Sequence, residues 1–78
     1  MNALTVLCAD DWQGLFVNGV LQEEAHEIAL RDLAGYCPIA SLVVRELPAP
    51  AIEYLTSCGG FPNGCTVDEA LALTPDAD

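Results

Sequence analysis

Residues 11–24 read Asp11–Glu24, DWQGLFVNGVLQEE, and the fold follows from how this stretch bends. Asn18-Gly19 stands between two apolar runs. A two-residue type I′ turn needs φ > 0 at both central positions, and Asn-Gly meets that demand at the least steric cost. A regular hairpin closed by this turn sets Val17 opposite Val20, Phe16 opposite Leu21, Leu15 opposite Gln22 and Gly14 opposite Glu23. Trp12, Phe16 and Leu21 then share one face, and Leu15, Val17 and Val20 the other. The second strand runs straight into Glu23, Glu24, His26 and Glu27, the densest acidic patch of the sequence.

On the N-terminal side, Ala3–Ala9 (ALTVLCA) reads as a strand that turns at Asp10-Asp11, which with the hairpin makes a three-stranded antiparallel meander. On the C-terminal side the period changes. Leu30, Leu33, Ala34 and Cys37 recur at i, i+3, i+4 and i+7, which predicts an amphipathic helix of about ten residues from Ala25, capped at Gly35 and stopped by Pro38. Ile39–Leu47 (IASLVVREL) predicts a further strand, with Leu42 and Val44 on one side and Ile39, Ser41, Val43 and Arg45 on the other. Pro48 and Pro50 end it, and Pro50 opens a helix over AIEYLTSC that Gly59-Gly60 closes. Phe61–Gly64 is a turn. Thr66-Val67-Asp68-Glu69 has the capping-box form and starts a short helix through Leu73. The order β-β-β-α-β-α-α predicts an α+β fold, a small antiparallel sheet with helices packed on one face. The expectation is a single domain over residues 1–78 with a frayed tail from about residue 74.

Composition sets the class. The chain has 78 residues, 53% of them hydrophobic, which argues against disorder. A chain this short buries only about 60–65% of its unfolded surface, so its margin of stability is thin. Twelve Asp and Glu face two arginines, Arg31 and Arg45, and no lysine, for a net charge of −10. The excess is uneven. Residues 1–28 carry five acids and no base, 29–46 two of each, and 47–78 five acids and no base. So few cations exclude direct nucleic-acid binding, which needs them to neutralise phosphates. The surface suits either solubility alone or a positively charged partner. Met1–Ala9 lacks the positive region and apolar length of a secretion signal, and no apolar run is long enough to span a membrane. These features predict a cytoplasmic protein whose cysteines are thiols.

No catalytic set emerges. His26 in EEAHE is the only histidine, and flanking carboxylates favour its protonated form, which makes a poor base. Nothing beside Ser41 or Ser57 would activate a hydroxyl, and no Gly-rich loop has the phosphate-binding form. Cys8 and Cys37 read as core positions. Cys58-x₆-Cys65 spans a turn and could bring two thiols together, but the spacings and the single histidine do not make a zinc set. Neither a metal nor a cofactor is expected. Asp10-Asp11, Glu23-Glu24 and Asp68-Glu69 lack the order of a calcium loop. Together they put carboxylates on turns and helix starts with almost no counter-charge. Duplex DNA carries one negative charge per roughly 1.7 Å of axis, and a domain of this size and charge matches a short stretch of it.

Small size, absence of lysine, clustered acids and an α+β build resemble the phage-encoded anti-CRISPR proteins that act as DNA mimics, most of all the inhibitors of type I-C systems. Separately, Asp11–Ile28, about a quarter of the chain, is similar to a hairpin-plus-helix segment of short phage and bacterial proteins with a D-[WFY]-x-G-[LV]-[YF]-[VI]-[DN]-G core. The first likeness implies a non-enzymatic inhibitor in the bacterial host cell that occupies the basic DNA-binding channel of the Cascade complex and blocks target recognition. The acids expected at that interface, chosen for clustering, are Asp10, Asp11, Glu23, Glu24, Glu27, Asp68 and Glu69, on a monomer rather than a dimer. The competing expectation is an accessory or antitoxin-like protein that binds a partner through an apolar face of the hairpin.

Overall fold

The computed structural model describes residues 1–75; residues 76–78, the end of the expected tail, lie outside the described residues. The fold is α+β, and its elements follow the expected order: β1 (Asn2–Cys8), β2 (Gln13–Val17), β3 (Val20–Ala25), α1 (Leu30–Ala34), β4 (Ile39–Glu46), α2 (Ala49–Cys58) and α3 (Val67–Leu71). One four-stranded sheet, ordered β3-β2-β1-β4, is its centre. The hairpin turn lies where the sequence puts it, with Asn18 at φ 52° and Gly19 at φ 88°. Asn18 also stitches the turn to β1: its amide nitrogen donates to the Ala3 carbonyl (2.8 Å) and its Oδ1 accepts from the Ala3 amide (3.0 Å).

Three features depart from the simplest reading. First, the hairpin is bulged. Val17 faces Val20 and Phe16 faces Leu21, but Leu15 faces Glu23 and Gly14 faces Glu24, which leaves Gln22 as the extra residue. Second, the sheet is mixed rather than wholly antiparallel. β4 runs parallel to β1, with Leu4 beside Leu42, Val6 beside Val44 and Cys8 beside Glu46. A parallel neighbour needs a crossover, and the segment carrying α1 is that crossover.

Third, helices cover both faces rather than one. Successive strand residues point to opposite sides, and β1 and β2 are apolar on both: Leu4, Val6 and Leu15 one way, Leu7 and Phe16 the other. Each face therefore needs a cover. Leu33 of α1 closes the first. Ala51 and Leu55 of α2, Phe61, Cys65 and Ala70 of α3 close the second, where the rings of Phe16 and Phe61 meet edge to face at 5.5 Å. Gly14 makes room for that ring: a Cβ there would stand 2.5 Å from Phe61 Cε2.

The helices end as their local chemistry dictates. Gly59 closes α2 in the left-handed region at φ 84°. Thr66 and Glu69 form the expected reciprocal cap of α3. The helix expected from Ala25 is shortened to five residues because Ala29 is extended and caps α1, its amide donating to Asp32 Oδ2 at 2.9 Å. Leu30 is consequently 83% exposed, and Ala34 and Cys37 lie outside the core. Cys65, by contrast, is buried.

Candidate functional site

The bulge at Gln22 decides what the acids of β3 do. In a regular hairpin Glu23 would lie across from Gly14; with one residue inserted, Glu24 takes that place and Glu23 turns to the other face. Glu24 is half-buried, and its Oε1 accepts from Trp12 Nε1 and from the Phe61 amide, both at 2.9 Å. It ties β3 to the aromatic core. Glu23, on the α1 face, accepts from the Tyr36 hydroxyl at 3.0 Å. Partial burial, this bond and the carboxylates of Glu23 and Asp32 push the phenol above its ordinary value.

The seven acids singled out from the sequence therefore separate. Asp10 and Asp11 stand exposed in the β1–β2 turn, closed where the Ala9 amide donates to the Trp12 carbonyl (2.7 Å). His26 reaches back to this turn, its Nδ1 3.0 Å from the Asp11 carbonyl oxygen. A carbonyl only accepts, so Nδ1 carries the proton, and the imidazole packs edge-on against Trp12 with centroids 5.1 Å apart. Exposed Glu27 follows directly. Asp68 and Glu69 belong to the opposite end of the sheet, where the Val67 amide donates to Gly19 and Thr66 bridges Val20. Glu69 is also engaged in the α3 cap.

Sequence reasoning missed Glu46. The parallel register brings the end of β4 beside Cys8, so that Glu46 and Asp10 line one small hollow of about 190 Å³ with Cys8 and Ile52. Burial, then the Glu46 carboxylate, raise the Cys8 thiol above its usual 9.0. A larger hollow of about 480 Å³ lies alongside, between Asp10, Asp11, Trp12 and His26 on the sheet and Ile52 and Leu55 on α2. The C-terminal end of β1 is thus an acidic pole: Asp10 and Asp11 beside Trp12 and His26, Glu46 beside Asp10, and exposed Glu27 next in the chain after His26. The only clue to Glu46 in the sequence is its place at the end of a strand, and that says nothing of which strand lies beside it.

No group of three or more His, Cys, Asp and Glu among the described residues is placed to hold a metal ion. Among the described residues, no helix is long and apolar enough to cross a membrane. No protein-family model, curated protein or solved structure matches the chain.

Proposed function

We propose that this protein is a non-enzymatic inhibitor that presents its acidic pole to a basic nucleic-acid-binding channel, and that the channel is that of a CRISPR Cascade complex, as its likeness to DNA-mimic anti-CRISPR proteins suggests. One observation carries the reading: exposed Asp10, Asp11, Glu27 and Glu46 converge on one end of a molecule of net charge −10 that has two cations in all. An array of this kind attracts a cationic groove over distances set by the Debye length and competes with phosphates for it.

Competition with target DNA is the test. Charge reversal of Asp10, Asp11 and Glu27 to lysine is expected to weaken binding to the effector by roughly tenfold or more, since like-charge juxtaposition costs several kcal/mol. Asp68→Lys at the other end should change it little, and binding should fall steeply with added salt. Glu24 is unsuitable for reversal because it holds Trp12 and Phe61. An effector that binds target DNA at full affinity with this protein attached would end the reading.

A second reading rests on β4, whose residues are all exposed and include Leu42, Val43 and Val44. It supports a small accessory protein that acts through an apolar contact, located at the edge of the sheet and not on the hairpin, where Leu15 and Phe16 are fully buried.

A further inference from the structure

The two edges of the sheet are treated differently. The start of β3 is occupied on its outer side, where the Leu21 amide donates to Cys65 and the Val67 amide donates to Gly19, both at 2.9 Å, and Gln22 then bulges the strand in its ladder with β2. Proteins protect edges in this way against further strand pairing. Among the described residues, nothing comparable stands on β4. Leu42, Val43 and Val44 are 45%, 46% and 64% exposed, and the strand carries neither proline nor lysine. The Leu47 amide donates to Cys8 at 2.9 Å. Since strand amides alternate in direction, Ser41, Val43 and Arg45 also face β1, and Leu42, Val44 and Glu46 turn their amides outward.

We propose that a second copy of this chain docks on β4, strand against strand and antiparallel about a two-fold axis, so that two four-stranded sheets become one continuous sheet. Charge selects this occupant. Residues 29–46 are the one balanced stretch of the chain, two acids against two bases, so copies can meet here without opposing acidic surfaces. A cationic strand, in contrast, would meet Arg45 within the contact. The antiparallel arrangement also sends the two acidic poles to opposite ends. With Val43 on the axis, Leu42 lies opposite Val44 twice, Ser41 opposite Arg45 and Ala40 opposite Glu46. No like charges face each other, and the outward amides of Leu42 and Val44 fall into hydrogen-bonded pairs. Leu42 and Val44 of both copies extend the apolar α1 face, and the two Val43 side chains meet on the other. Because β3 is engaged at Val20 and Leu21, bulged at Gln22 and carries Glu23 and Glu24, β4 is the open apolar edge among the described residues, and assembly stops at two. A single strand pair is smaller than a standard interface, so the dimer dissociates in the micromolar range.

Sedimentation equilibrium of the full chain, up to about 200 µM and between about 50 and 300 mM sodium chloride, reads this directly. The mass should rise toward twice 8.2 kDa, more readily at high salt because screening relieves repulsion. Val43→Lys sets two ammonium groups on the axis and should weaken association roughly tenfold or more, with an unchanged circular dichroism spectrum. In a C37S/C58S background, Val43→Cys should cross-link across the axis under mild oxidation faster than Leu42→Cys or Val44→Cys. A mass of 8.2 kDa throughout, or a dimer indifferent to Val43→Lys, overturns the proposal. The inhibitory reading is tested separately: a monomer that still competes with DNA refutes the dimer alone.

Discussion

At the scale of single residues, Glu24 shows how position overrides type. In sequence it is half of an acidic pair; in the fold one of its oxygens serves both the indole of Trp12 and the amide of Phe61. Truncation leaves two partly buried donors without a partner, which costs about 1–3 kcal/mol. Glu24→Ala should therefore lower the denaturation midpoint clearly, whereas Glu24→Gln, which keeps the accepting oxygen, and Glu23→Ala on the exposed side should change it far less. Equal effects of the two alanine variants would show that Glu24 has no structural role. Cys8 and Cys65 give a pH dependence of known sign. Burial raises both thiols above 9.0, helped by Glu46 at Cys8 and by Glu69 and Glu24 at Cys65. The folded state then holds its protons more tightly than the unfolded one. The stability this contributes is complete below pH 9 and is lost as pH rises through the folded values. Urea midpoints should fall between pH 8 and pH 10.5 and fall less in a Cys8→Ala/Cys65→Ala variant; a profile as steep in that variant would assign the loss to other groups.

At the scale of elements, α1 separates helical periodicity from burial. Leu30 and Leu33 fit one apolar stripe, yet Leu30 is 83% exposed and Leu33 8%. The helix has five residues, so its packing rests on a single side chain seated among Leu4, Val6 and Leu15. Leu33→Ala should cost about 2–4 kcal/mol through lost contact and the cavity left behind, and Leu30→Ala under about 0.5 kcal/mol. Chemical denaturation of the two variants checks this, and a comparable loss for both would mean that the helix packs on a wider face. The strands make the same point. β1 and β4 are similar in apolar content, but β1 lies between two neighbours and β4 has one, so Leu4 and Leu7 are buried where Leu42 and Val44 are not.

At the scale of the whole molecule, charge governs both stability and association. Ten unbalanced negative charges on a body of Cα radius of gyration 12.0 Å repel one another. Screening should raise the melting temperature between low and moderate sodium chloride, by about 4–8 °C for each 1 kcal/mol of repulsion relieved. A fall over that range would show that the carboxylates are largely paired, a result two arginines could hardly produce. The same magnitude bears on the dimer. Two such charges about 25 Å apart in water repel by about 17 kcal/mol unscreened. With a Debye length of about 8 Å that falls below about 1 kcal/mol, so near physiological salt net charge leaves the proposed β4 contact little to overcome.

Chemistry that acts over a few residues is legible in the chain alone. Asn18-Gly19 fixes the hairpin because of the φ values it tolerates, Gly59 ends α2 for the same reason, and Thr66 with Glu69 caps α3 through bonds that span three positions. From these the element order and the α+β class follow. The tertiary structure alone decided which neighbours each element has: the parallel seat of β4 beside β1, the helical cover on both faces, the bulge at Gln22, the meeting of Glu46 with Asp10 and the exposure of β4. The physical reason is that apolar patterning records how buried a position wishes to be, and runs such as ALTVL and SLVV read alike at the centre of a sheet and at its edge. Only the long-range pairing of strands distributes the limited burial available to a chain this small, and it leaves β4 outside.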